Sequence, residues 1–162
     1  MRFFYLIPAL LVVASGLHFV PNQPGLIPDL SKQVSSMPGG WRQVDLQDQR
    51  EKDDVEHLVR MSLYELQKTN PPGAAYTNFV KAEQAIEQVV DGTNYKVVFL
   101  AKQRYPFRRQ LVSQFGQCYF KMFKPLNAGE NAAADVSKHI CVEIPINELA
   151  EDSSSAEKDR RH

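Results

Sequence analysis

Cysteine is scarce in this chain, with only Cys118 and Cys141 among 162 residues. Two cysteines in an exported protein read first as a disulfide, for which a single connectivity exists. Such a bond closes both thiols to nucleophilic duty. Histidine is equally uninformative: of the four, His57, His139 and His162 stand far apart, without metal-ligand spacing. No constellation for enzymatic chemistry, and none that calls for a metal or cofactor, emerges. The sequence also lacks Asn-x-Ser/Thr, so N-glycosylation is not expected. It carries one Trp, Trp41, and no excess of either charge, with 19 Lys and Arg against 19 Asp and Glu. That balance gives no support for nucleic acid or an anionic membrane as partner. Lys102, Arg104, Arg108 and Arg109 cluster, and read as a solvated strand end or loop.

Long apolar runs are missing too. Phe3 to Val13 is almost wholly apolar but falls short of the roughly 20 residues that span a bilayer. With Arg2 before it and Ala14-Ser15-Gly16 after it, residues 1–16 read as a secretory signal peptide, cleaved after Gly16. The secreted, extracellular chain would then have 162 − 16 = 146 residues and a formal charge of 18 − 19 = −1. That length suits one domain with a real core.

What is present is a set of alternating segments around one helix. Residues 17–36 hold Pro21, Pro24, Gly25 and Pro28 without a sustained period, and read as a flexible leader that makes no core contact. Trp41 to Leu46 alternates like a short edge strand, with Trp41 as a core or edge packer. Acids from Glu51 to Asp54 open a helix at its positive dipole end. Val55, Leu58, Val59, Ser62, Leu63 and Leu66 form its apolar stripe, and Asn70-Pro71-Pro72-Gly73 stops it. Tyr76 to Val90 has helix formers, yet Val80, Ala82, Ile86 and Val90 share one parity and favour a strand. Tyr95 to Leu100, Gln117 to Lys124 and Ser137 to Ile144 complete the strands. The order β-α-β-β-β-β predicts an α+β fold, an antiparallel β-sheet wrapped around a single α-helix. Residues 148–162 form a Ser- and charge-rich tail, expected to be disordered.

Gln88-Val89-Val90-Asp91-Gly92 lies between two of these strands, and Asp-Gly at its tip is a hairpin signal that presents both valines. Upstream stands Pro38-Gly39-Gly40-Trp41, and downstream the run from Cys118 to Pro125-Leu126. In this order the motifs resemble the secreted, disulfide-containing cystatins over about residues 37–147. The resemblance implies a cystatin-like fold, a Cys118–Cys141 bridge, and a monomer that reversibly inhibits papain-like cysteine proteases, cathepsin L-type or similar, without catalysis of its own. It also assigns the protease-binding residues: Met37, Pro38 and Gly39; Gln88, Val89, Val90, Asp91 and Gly92; and Pro125 and Leu126. These three segments would form a wedge filling the protease cleft. Gly39, without a Cβ, would pass beside the catalytic thiol.

The chain departs from the family at three places. Leu126 stands where the family shows Trp, the first family disulfide is missing with residues 103–117 shortened, and Pro38 replaces an aliphatic residue. The departure at Leu126 keeps a second reading open, a cystatin-fold binding module without inhibition.

Overall fold

The computed structural model describes residues 25–69, 76–108, 110–129 and 132–145. The expected signal peptide (1–16), the Asn70–Gly73 stop, Arg109 and the 148–162 tail lie outside the described residues.

Asp48 starts the helix. Its carboxylate accepts from the N–H groups of Arg50 at 2.9 Å and Glu51 at 3.1 Å, satisfying donors that the first turn leaves without helical partners. Helix α1 runs Gln49–Thr69, two residues ahead of the expected acidic start. Five of the six residues of its expected stripe are buried, Val55, Leu58, Val59, Ser62 and Leu63 all being 6 % exposed or less, and Leu66 is partly buried against the same core. Ser62, the one polar residue in that stripe, exchanges hydrogen bonds with the backbone of Ala134 at 3.3–3.4 Å.

Opposite the helix, five antiparallel strands follow in chain order: β1 (Arg42–Gln43), β2 (Asn78–Val89), β3 (Thr93–Phe107), β4 (Gln110–Lys124) and β5 (Asp135–Ile144). One helix on one antiparallel sheet is the α+β, cystatin-like arrangement that the sequence predicts. Side chains alternate across a strand, so each strand feeds two faces. Val97, Phe99, Ala101, Cys118, Phe120 and Met122 point at α1 and close the main core with it. Phe99 and Phe120 meet edge to face, with ring centroids 4.8 Å apart.

Strand β2 corrects the parity argument. Ala85 joins the helix-side core, while its neighbour Ile86 is buried on the opposite face, and Val80 and Val90 are exposed. The register shifts twice, between Phe79 and Lys81 and between Ala82 and Gln84. Each extra residue resets the alternation, so Phe79, Ala82 and Ala85, spaced by three, all reach the main core. Beside these bulges the N–H of Ala82 donates to buried Glu56 at 3.3 Å, and Arg60 pairs with the same carboxylate at 2.9 Å.

Strands β3 and β4 are longer than expected. Residues 103–107 and 110–114 continue the hairpin in register, where a shortened loop-like segment is expected. The leader also needs correction. Residues 30–33 form a 3₁₀ turn capped by Asp29, whose carboxylate accepts from the Ser31 N–H at 3.1 Å. Leu30 is 1 % exposed, packed with Ile86, Val98 and Tyr119 on the sheet face away from α1, and Ile27 and Trp41 lie against this second core. The expectation of a leader without core contact fails here. Leu30 stands between Pro28 and Pro38 in a stretch without a sustained period, so nothing local marked it as buried.

Cys118 and Cys141 are directly opposed on β4 and β5, with Cα atoms 4.1 Å apart, and are bonded. The bridge closes a loop of 23 positions, worth about 3 kcal/mol in the chain-entropy model. Replacing both cysteines by Ala should therefore lower unfolding stability by about 3 kcal/mol. Urea denaturation of the two proteins measures it, and a loss under about 1 kcal/mol would contradict the entropic account.

Candidate functional site

The antiparallel order brings three segments to one end of the sheet. Val89 pairs with Thr93 across the β2–β3 hairpin, and Thr93 pairs with Lys124 at the end of β4. The hairpin tip and the loop after β4 are thus neighbours. The third segment joins through β1: Arg42 pairs with Glu87, and Gln88 Nε2 donates to the Gly39 carbonyl oxygen at 2.8 Å.

The hairpin tip is held by local chemistry. Asp91 and Gly92 both have positive φ, 49° and 129°, and the Val90 N–H donates to the Gly92 carbonyl at 3.0 Å. Asp tolerates the left-handed region better than most residues, whereas φ near 129° belongs to glycine. Space demands glycine as well. A Cβ on Gly92 would stand 2.6 Å from the Phe123 ring and 2.8 Å from the Lys124 carbonyl oxygen. The tip therefore rests on the end of β4. Val89 and Val90 stay exposed, at 63 % and 53 %.

Pro125 opens the next loop, and its carbonyl accepts from the Ala128 N–H at 3.1 Å. That turn puts Leu126 at its outer corner, 74 % exposed. The far end of the loop is fastened to the helix through Ala134 and Ser62.

Residues 35–41 form a closed loop. The Ser35 N–H donates to the Trp41 carbonyl and the Gly40 N–H to the Met37 carbonyl, both at 2.9 Å. Gly39 sits at φ 73°, which favours glycine. Met37 projects from this loop at 73 % exposure. Arg42 anchors its downstream side, reaching Glu87 at 2.6 Å and Glu51 at 3.0 Å. Those two carboxylates, Glu87 first, hold the guanidinium above its usual pKa.

All ten predicted contact residues thus fall on three segments at one end of the sheet, on the side where β2 ends and β3 begins. Among the described residues, four of the seven exposed large apolar side chains are there: Met37, Val89, Val90 and Leu126. Gln88 has an internal role, since its amide holds Gly39 in place. Sequence reasoning missed Ser62 and Arg42, which position two of the three segments. A serine inside an apolar stripe was the available signal for the first; for Arg42 there was none. Among the described residues no helix is long and apolar enough to cross a membrane.

Among the described residues, the end of the sheet holds no group of His, Cys, Asp and Glu that could bind a metal ion. Its chemistry is that of a surface: apolar side chains on three short turns, each turn tied to the sheet or helix. Compared with known protein families and with curated proteins, the chain matches no family model and no curated sequence.

Proposed function

We propose that this protein is a secreted, cystatin-like inhibitor that blocks papain-like cysteine proteases by occupying their cleft. One observation carries the reading: Met37, Val89, Val90 and Leu126 are exposed together on three braced turns at a single end of the sheet. Exposed apolar side chains on ordered backbone suit a partner that can bury them, because little conformational freedom is left to lose. A V-shaped protease cleft matches a row of three turns. Gly39 passes closest to the reactive thiol without a side chain in the way, and its carbonyl stays engaged by Gln88. The inhibitor does no chemistry, and docking is reversible.

Titration of the mature protein against papain and a cathepsin L-type enzyme tests this. Expected is stoichiometric, reversible inhibition, with the inhibitor recovered uncut. Full protease activity at micromolar inhibitor would overturn it.

Leu126 favours keeping a second reading, a binding module of the same fold without inhibitory strength. Trp at this corner would bury about 40 Å² more apolar surface, worth about 1 kcal/mol at 25 cal/mol per Å². Leu126→Trp should therefore tighten papain binding about fivefold, chiefly through slower dissociation. If the natural protein is inert and only Leu126→Trp inhibits, the module is the better description.

A further inference from the structure

The loop that bears Met37, Pro38 and Gly39 is tied at both ends, and its upstream tie lies in the segment expected to be a free leader. Downstream, β1 and the Arg42 ion pairs fix it. Upstream, the fixed point is Leu30. Its side chain fills the second core against Ile86, Val98 and Tyr119, and its N–H donates to Gln84 Oε1 at 2.8 Å. Three residues on, Gln33 Oε1 accepts from Lys96 Nζ at 2.7 Å, and that ammonium stands 4.0 Å above the Trp41 ring. The chain then turns back on itself. A Cβ on Gly40 would come within 2.8 Å of both the Met37 carbonyl oxygen and Ser35 Cβ. Keeping so tight a loop requires that both of its ends be held.

We propose that Leu30 is a positioning residue: its side chain anchors a strap across the outer sheet face and thereby keeps loop 35–41 preformed for docking. Leu30 touches no partner itself. It acts through Met37–Gly39, which a partner meets already ordered, so less freedom is lost on binding and the complex dissociates more slowly. Contact with a protease rests on the function proposed above; the anchoring of the loop does not.

Three variants separate the anchor from mere stability. Leu30→Ala removes the plug, Leu30→Met restores its bulk, and Val59→Ala opens the main core under α1, on the other face of the sheet, without touching the strap. Amide hydrogen exchange at Ser35 and Gly40 reads the loop, and dissociation from papain reads docking. Expected for Leu30→Ala is at least a tenfold rise in exchange at both amides and at least fivefold faster dissociation. Leu30→Met should recover both, whereas Val59→Ala should lower the unfolding midpoint and move neither. Unchanged exchange in Leu30→Ala, or an equal rise in Val59→Ala, overturns the anchor. Faster exchange with unchanged dissociation overturns the docking role. If the wild type fails to bind papain at all, the protease reading falls, and the exchange measurement still decides the anchor.

Discussion

Replacing Val89 and Val90 together by Asp is expected to weaken the proposed inhibition of papain about a thousandfold while leaving the fold in place. Both side chains are more than half exposed, so their loss removes little packing from the free protein. Surface substitutions of this kind change stability by about 0.5 kcal/mol or less. In a complex the balance reverses. Each valine would be buried against the cleft, and each carboxylate put there would lose its water without gaining a donor. An unsatisfied buried polar group costs about 1–3 kcal/mol, and a charged one more. Two such penalties of about 2 kcal/mol each give about 4 kcal/mol, or about three decades in affinity. The inhibition constant of the double variant measures this, beside its thermal unfolding curve. A folded variant that inhibits as well as the wild type would remove the hairpin tip from the contact surface.

Gly92→Val should be the most damaging single change at this end of the sheet, lowering unfolding stability by about 4 kcal/mol. Two costs coincide there. A β-branched residue at φ 129° is strained, by about 1–3 kcal/mol. Its Cβ would also overlap the Phe123 ring at 2.6 Å and the Lys124 carbonyl oxygen at 2.8 Å. The ring can shift; the carbonyl belongs to the paired end of β4 and moves only with it. Overpacking of this kind costs a further 1–3 kcal/mol or so. Gly39→Ala is the informative contrast. Gly39 is also at positive φ, but a Cβ there meets nothing within 4 Å, so only the strain of about 1 kcal/mol remains. Urea unfolding of the two variants checks the order, and a Gly92→Val loss no larger than that of Gly39→Ala would mean that the hairpin tip does not rest on β4.

Much of the candidate site was legible because its signals are local. Asp-Gly between two alternating runs marks a hairpin, since the backbone requirement at the tip is met by residue type alone. The stripe Val55, Leu58, Val59, Leu63 marks a helix face for the same reason, as periodicity records which side is buried. The disulfide followed from two cysteines on segments expected to pair. Less legible was β2, where bulges set Ala82 and Ile86, which share one parity, against opposite cores and left Val80 exposed. A bulge leaves no mark in a composition, and a period-two count fails beyond the first one.

What the chain determined by itself was the identity and order of its elements: one amphipathic helix, then strands joined by short turns, with two exposed valines at one tip. Tertiary structure alone decided which distant residues brace that tip and its neighbours. Leu30 is buried because the outer face of β2, β3 and β4 offers Ile86, Val98 and Tyr119 to cover. Ser62 is tolerated in an apolar stripe because the backbone of Ala134 arrives to bond it. Gln88 holds Gly39 because β1 pairs beside β2 and carries the preceding loop within reach. Each of these contacts joins residues 49 or more positions apart. A propensity or a period speaks only for near neighbours, whereas such contacts exist only once the sheet has set its register.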